Sequence, residues 1–150
     1  PKKVVDIGGG PSSLLLKTTK PSNNLSIIVD PCEYPPWVYH RYAGHGIIAV
    51  MIPAENWISD ELDADEVWMY NCLQHTQSPA QIIQNGLNAL TPGGVFRVFE
   101  WINTPTNEAH PHSLTKKFLD EAFQEEGHTV SLAADGCYGE AYYGVFQWTN

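Results

Sequence analysis

A glycine-rich turn directly after an apolar run is the feature that most limits how this chain can fold. Val4 and Val5 end a short hydrophobic segment, and the sequence continues Asp6-Ile7-Gly8-Gly9-Gly10-Pro11-Ser12. The apolar run predicts a buried strand, and residues 12–18 predict a following helix. Glycines between a strand and a helix bring bare backbone close to a ligand, with helix N–H groups directed at it. The stretch therefore predicts a ligand site at the end of the first strand.

The carboxylate of Asp6 narrows the kind of ligand that suits this turn. A fixed anion favours a ligand with a cationic end and repels a pyrophosphate, which a nicotinamide dinucleotide would bring there. Asp30 ends the second predicted strand, 20 residues beyond Gly10, where a carboxylate can accept hydrogen bonds from both hydroxyls of a ribose. Two carboxylates with a glycine turn between them favour a nucleoside that carries an amino-acid-like tail.

The rest of the chain alternates predicted strands and helices. The strands are 3–7, 25–29, 47–52, 66–73, 95–101, 129–133 and 142–148; the helices are 12–18, 34–42, 79–90 and 113–126, with a helical turn or two over 57–62. Alternation predicts a parallel sheet with helices on both faces. Residues 134–141 are too few for a crossover helix, so the last two strands are expected to form an antiparallel hairpin. We also expect Ser78 to cap the third helix, a turn at Pro92-Gly93-Gly94, and a helix end at Gly127.

Composition excludes several classes of protein. The 150 residues suit one domain, and the net charge of −9, from 17 acidic and 8 basic residues, disfavours a nucleic-acid partner. No apolar run approaches the ~20 residues that a membrane span needs. The three cysteines, Cys32, Cys72 and Cys137, are odd in number and widely spaced. They are read as reduced thiols, which predicts a cytoplasmic protein.

The residues that end the predicted strands resemble those of class I S-adenosylmethionine-dependent methyltransferases, over residues 4–148. The first motif of that family corresponds to Asp6, Gly8, Gly10 and Ser12, with serine at its third small position. Asp30 corresponds to the acidic residue after strand two. Ala54-Glu55-Asn56 resembles the segment that packs on adenine, although Pro53 stands where the family often has aspartate. The segments 71–76 and 90–94 resemble the signatures around strands four and five.

This resemblance implies a fold and a cofactor. The expected fold is a doubly wound, mostly parallel seven-stranded α/β sheet, Rossmann-like, with a C-terminal antiparallel hairpin and helices on both faces. The cofactor is S-adenosyl-L-methionine, with Asp6 near its ammonium, backbone N–H groups of the glycine turn on its carboxylate, and Asp30 on its ribose. The residues expected to bind it are Asp6, Gly8, Gly9, Gly10, Asp30, Pro31, Ala54, Glu55 and Asn71.

The acceptor side is predicted from the chemistry of methyl transfer. Transfer to oxygen requires in-line approach and removal of a proton, and histidine titrates closest to neutral pH. His110 and His112, in the long loop after strand five, are the candidate general bases. His75, Glu100 and Trp101 are expected to contact a small polar acceptor. No third ligand stands beside the two loop histidines, so no metal site is expected.

Two other functions fit parts of the pattern. Gly8-x-Gly10 followed by Asp30 also satisfies a loose dinucleotide motif, which leaves an NAD(P)-dependent oxidoreductase open. A non-catalytic S-adenosylmethionine-binding module is the other alternative, because Pro53 departs from the family pattern and no lid helices stand upstream of strand one. The resemblance implies such helices, so we expect this single domain to come from a longer protein, with a further segment or chain completing the acceptor pocket.

Overall fold

The computed structural model describes residues 2–18, 25–58, 62–132 and 139–149, and all seven predicted strands are present in them. The strands are β1 Val4–Ile7, β2 Ser26–Val29, β3 Ile47–Val50, β4 Ala64–Tyr70, β5 Leu90–Ile102, β6 His128–Ser131 and β7 Glu140–Gln147. The α-helices within the described ranges are α1 Pro36–Gly44, α2 Pro79–Asn88 and α3 Lys116–Phe123. The strands form one sheet in the order β3-β2-β1-β4-β5-β7-β6.

The direction of the strands confirms the predicted fold class. β1 runs parallel to β2 and β4, β2 to β3, and β4 to β5. β7 lies antiparallel to both β5 and β6, so the closing hairpin is also confirmed. Because the chain leaves β1 toward β2 and β3 and later returns to β4 on the other side, the order reverses between β1 and β4. Open α/β sheets bind ligands at such a point.

Apolar side chains project from both faces of the sheet because helices cover each face. The larger core contains α2 and α3 and includes Val5, Ile7, Val67, Ile83, Leu119 and Phe123. The smaller core, on the opposite face, contains α1 and includes Val4, Ile28, Val38, Tyr42 and Ile47. Strands buried on both faces explain the near-continuous apolar runs of the sequence.

The helix predicted over residues 12–18 is wrong. Gly10–Ser12 and Leu14–Lys17 form two short 3₁₀ turns, and Ser13 between them is extended, with a ψ of 146°. The Ser13 hydroxyl donates to the buried Asp6 carboxylate and accepts a hydrogen bond from the Leu15 amide. These bonds draw the backbone out of helical geometry, so within residues 10–18 no α-helix N-terminus faces the glycine turn.

Two strand boundaries differ from the prediction for backbone reasons. β4 ends at Tyr70 and not at residue 73, because Asn71 adopts a left-handed φ of +56°, which asparagine tolerates. β5 begins at Leu90, and the turn predicted at Pro92-Gly93-Gly94 is instead an irregularity inside the strand, where the register with β4 shifts and Gly93 has a φ of +83°.

The helix ends also differ. α3 is shorter than the predicted 113–126, because the Thr115 hydroxyl caps its first turn and Gln124, at a φ of +56°, ends it before Gly127. The Ser78 side chain makes no capping bond at α2. Of the helical segment predicted over 57–62, residues 57, 58 and 62 are not helical. Residues 59–61, like Cys137 and most of the predicted 134–141 connection, lie outside the described residues.

A matched pair of helical glycines tests how tightly α2 packs on the sheet. A Cβ at Gly86 would lie 2.5 Å from Phe96 Cε2 and 3.3 Å from Ile7 Cδ1, whereas a Cβ at Gly44 meets nothing within 4 Å. We expect Gly86→Ala to lower the free energy of unfolding by about 1–3 kcal/mol through overpacking. Gly44→Ala should leave it unchanged or raise it by up to about 1 kcal/mol through helix propensity. Urea denaturation measures both, and equal effects would contradict the packing described.

Candidate functional site

A cavity of about 550 Å³ opens at the carboxyl ends of β1, β2 and β4, beside the reversal in strand order. Its walls come from the glycine turn, the segment after β2, the 3₁₀ turn Ala54–Asn56 after β3, and the segment after β4. The predicted residues that line it are Gly8, Gly10, Asp30, Pro31, Ala54, Glu55, Asn71 and His75. The structure therefore brings together residues that are distant in the sequence.

Glycine is required at the turn because two parts of the chain approach it closely. Gly8 has a φ of +72°, and a Cβ there would lie 2.5 Å from the Cβ of Cys72. A Cβ at Gly9 would lie 2.6 Å from the Asp6 carboxylate. The Gly8 amide donates to the Val29 carbonyl at 2.8 Å, so this N–H, expected to serve a ligand carboxylate, is already bonded within the protein.

Asp30 organises the wall between β1 and β2. Its Oδ2 accepts a hydrogen bond from the Gly10 amide at 3.0 Å, and its Oδ1 accepts from the Cys32 amide at 2.9 Å and from the Tyr34 hydroxyl at 3.0 Å. Burial and the neighbouring Asp30 charge raise the pKa of Tyr34, so the hydroxyl stays a donor at neutral pH. Tyr34 and Cys32 also line the cavity. The sequence offered no spacing signal for either residue.

Asp6 lies beneath the turn and outside the cavity lining. Its side chain is 2% exposed, and its carboxylate accepts a hydrogen bond from the Ser13 hydroxyl. Burial raises the pKa of Asp6 to about 6, with the Ser13 bond opposing the shift. Gly9 is likewise absent from the lining, packed over Asp6. Asp6 therefore supports the glycine turn from beneath, and it affects the cavity through the position of the turn's backbone.

Glu55 connects the β3 side of the cavity to the start of α2. Its carboxylate accepts hydrogen bonds from the amides of Gln77 at 2.9 Å and Ser78 at 3.2 Å. The Asn85 side chain donates to the carbonyls of Ala54 and Glu55 at 2.8 and 3.1 Å. These bonds hold the Ala54–Asn56 turn against α2 and against the two residues that precede it.

Glu100 and Trp101, predicted to contact the acceptor, are both outside the cavity lining. Glu100 is fully buried, and its Oε1 accepts hydrogen bonds from the amides of Cys72 at 2.9 Å and Leu73 at 3.0 Å. Burial raises the pKa of Glu100 to about 7. Trp101 packs edge-on against Phe99, with ring centroids 5.5 Å apart. Glu100 therefore shapes the segment after β4 from below.

The three histidines predicted near the acceptor do converge. The His75 ring lies 4.5 Å from that of His110, and its Nδ1 lies 2.8 Å from the Ala109 carbonyl. His112 Nε2 lies 3.1 Å from the Gln77 carbonyl. Of these three histidines only His75 lines the cavity. The loop after β5 is therefore attached to the segment after β4 by imidazole contacts.

The described residues contain neither a metal-binding cluster nor a helix that could span a membrane. No group of three or more histidine, cysteine, aspartate or glutamate side chains in these ranges is arranged to hold a metal ion. No described helix has the length and apolar character needed to cross a membrane.

Comparison with known proteins identifies the fold. The sequence matches no family model and no curated protein. The structure is similar to a S-adenosylmethionine-dependent methyltransferase from Methanosarcina mazei, with 13% identity, a TM-score of 0.74, and coverage of 99% of this chain and 92% of that one. It is also similar to the 1,6-didemethyltoxoflavin N1-methyltransferase of Burkholderia thailandensis, solved with S-adenosylhomocysteine, with 17% identity, a TM-score of 0.75, and coverage of 100% and 72%.

A third similar structure contains a second protein. It is a Haloferax volcanii complex with the Trm112 methyltransferase activator, matched with 15% identity, a TM-score of 0.72, and coverage of 99% of this chain and 83% of that one. At these identities the likeness establishes the architecture. The chain has the class I S-adenosylmethionine-dependent methyltransferase fold.

The buried Glu100 carboxyl predicts a pH dependence of stability. Its pKa rises from 4.5 to about 7 on folding, so the folded state holds this proton more tightly than the unfolded state. Its contribution is complete below pH 4.5 and is lost as the pH rises through 7, a loss of about 3 kcal/mol at 1.36 kcal/mol per pKa unit. Glu100→Gln keeps a carbonyl acceptor for the two amides and cannot ionise.

The measurement is the free energy of unfolding in urea between pH 5 and 8. The stability of Glu100→Gln relative to the unsubstituted protein should increase across this range. Glu121→Gln, a carboxylate whose side chain is 67% exposed on α3, provides the control and should show a constant difference. Parallel profiles for Glu100→Gln and the unsubstituted protein would contradict the assignment of the shift to Glu100.

Proposed function

We propose that this protein is a methyltransferase that binds S-adenosyl-L-methionine and transfers its methyl group to a small polar acceptor, at oxygen. The observation that carries the proposal is the cavity at the β1–β4 reversal, which joins the glycine turn, the Asp30 carboxylate and the apolar Pro53–Ala54 surface. Within the methyltransferase fold, these are the positions at which a nucleoside with an amino-acid tail would meet groups of matching chemistry.

The chain's own groups divide the cavity into three regions. Asp30 accepts hydrogen bonds from the Gly10 and Cys32 amides and from the Tyr34 hydroxyl, which leaves one lone pair, on Oδ2, for a ribose hydroxyl. Pro53 and Ala54 offer an apolar wall for a base. Asp6 beneath the turn supplies negative potential where the methionine ammonium would lie, because a buried charge is weakly screened. When bound, the cofactor supplies an electrophilic methyl group.

The structure weakens the oxidoreductase alternative. A dinucleotide pyrophosphate binds at the N-terminus of the helix that follows the glycine turn. Here the described residues 10–18 form only 3₁₀ turns. Buried Asp6 adds repulsion toward a phosphate. These features support the sulfonium nucleoside over the dinucleotide.

We further propose that a second segment or chain completes the acceptor side. The described cavity is lined by the segments after β1, β2, β3 and β4, the last including His75, Thr76 and Gln77, and no residue of the loop after β5 contributes to this lining. The Haloferax volcanii neighbour is a complex with an activator protein, which supports a role for an added chain on this fold. The acceptor screen below should therefore also be run with the longest natural form of the protein.

Calorimetric titration tests the cofactor assignment. We expect S-adenosylmethionine and S-adenosylhomocysteine to bind and NADH to give no heat. Asp30→Asn should weaken both sulfur ligands roughly 10–100-fold, because hydrogen bonds to a charged group contribute about 1.5–3 kcal/mol. Glu121→Gln, the same chemical change on exposed α3, should leave the affinity unchanged.

The outcomes separate the three functions. Heat with NADH and none with the sulfur ligands would overturn the methyltransferase proposal in favour of the oxidoreductase. Binding of S-adenosylhomocysteine with no methyl transfer across a panel of hydroxyl, amine and thiol acceptors would favour a non-catalytic binding module. Transfer only to amines or thiols would keep the activity and overturn the choice of oxygen.

A further inference from the structure

The hydrogen bonds around the histidine cluster determine which imidazole nitrogen can take a proton. His75 Nδ1 lies 2.8 Å from the Ala109 carbonyl oxygen, and a carbonyl oxygen can only accept. Nδ1 must therefore carry the hydrogen, so the neutral ring has its lone pair on Nε2. No described residue forms a hydrogen bond with Nε2, and His75 lines the cavity at its exposed end.

His110 has the opposite arrangement. Asn107 Oδ1 accepts hydrogen bonds from the amides of Ala109 and His110, both at 2.9 Å, which identifies the other side-chain atom of Asn107 as its amide nitrogen. That nitrogen lies 3.2 Å from His110 Nδ1 and can only donate. His110 Nδ1 is therefore an acceptor, and its lone pair is already used by Asn107. The sequence-based choice of His110 as the base does not suit this geometry.

His112 is held by the other nitrogen of its ring, Nε2. Its Nε2 lies 3.1 Å from the Gln77 carbonyl, so Nε2 is the donor and the lone pair of the neutral ring is on Nδ1. His112 does not line the cavity. Of the three converging histidines, His75 alone combines a cavity position with a lone pair that no described residue occupies.

We propose that His75 is the general base of the reaction, with Nε2 as the accepting atom and the Ala109 carbonyl as the group that orients the ring. This proposal rests on the proposed methyltransferase function. The acceptor hydroxyl gives its proton to Nε2 while its oxygen bonds the methyl carbon, the carbon–sulfur electron pair stays on sulfur, and the imidazolium later releases the proton to solvent. Ala109 O stabilises the imidazolium by accepting from Nδ1–H.

The tautomer is testable without an acceptor. Long-range ¹H–¹⁵N correlation spectra of the ¹⁵N-labelled protein distinguish Nδ1–H from Nε2–H rings, and His75→Asn assigns the His75 signals by their loss. We expect His75 as Nδ1–H and His110 as Nε2–H. His45 is a matched control, because its Nδ1 also lies 2.8 Å from a carbonyl, that of Arg41, at the end of α1 and away from the cavity. An Nε2–H tautomer at His75 would overturn the proposal.

Chemical modification tests whether the lone pair faces the cofactor. Diethylpyrocarbonate acylates unprotonated imidazole nitrogens, so both His75 and His45 should be modified, as read by peptide mass spectrometry. Saturating S-adenosylhomocysteine should abolish modification of His75 and leave that of His45 unchanged. Persistent modification of His75 while calorimetry shows the ligand bound would overturn the role of His75. Absence of binding would overturn the proposed function itself.

Turnover gives the final readout. His75→Asn retains an amide that can donate to the Ala109 carbonyl but lacks the Nε2 lone pair. With any acceptor that the screen identifies, we expect this variant to lower kcat by about 10²-fold, the usual contribution of a general base, with S-adenosylhomocysteine affinity unchanged. His45→Asn should retain full activity. An unchanged kcat in His75→Asn would overturn the proposal, and a loss of ligand affinity alone would indicate a merely structural residue.

Discussion

The close approach of Gly8 to Cys72 is the contact on which the carboxyl edge of the sheet depends. It brings the turn after β1 against the segment after β4, at a distance that no side chain on Gly8 would allow. Backbone hydrogen bonds link the neighbouring strand ends on both sides. The Gly8 amide donates to the Val29 carbonyl at 2.8 Å, and the Asn71 amide donates to the Phe99 carbonyl at 2.7 Å. Because these strand ends are held together, one continuous cavity forms where the strand order reverses.

Buried carboxylates support this edge at a cost in stability. Asp6 holds the turn through Ser13, and Glu100 holds the amides of Cys72 and Leu73. Burial raises the pKa of both, to about 6 and about 7, so each is least favourable when ionised. Apolar residues of similar size would leave the amides and the hydroxyl without acceptors, which is also unfavourable. The buried Asp6 and Glu100 carboxyl groups thus position the loops from beneath, and the cavity above them stays open.

Sequence reasoning succeeded where a residue's role is local. The strands, their order of occurrence and the closing hairpin follow from apolar periodicity and connection length. Asp30 and Glu55 line the cavity because strand ends meet at one edge in any parallel sheet, and their contacts with a ligand stay a prediction. It failed where a tertiary bond competes with local propensity, as at Ser13, whose hydroxyl and amide bond to Asp6 and Tyr42 and prevent a helix. It also could not separate a residue that lines the cavity from one that supports it, and Asp6, Gly9, Glu100 and Trp101 lie outside the lining.

The sequence by itself determined the architecture and the ligand class that suits it, because apolar period, glycine placement and carboxylates at strand ends are properties of segments. Only the tertiary structure decided which nitrogen of the His75 imidazole carries the hydrogen. Ala109 and Asn107 lie in the loop after β5, and His75 lies 34 residues before Ala109, in the segment after β4. The tautomer of His75 depends on the Ala109 carbonyl across that gap, and a partner that is brought close by folding leaves no pattern in the sequence.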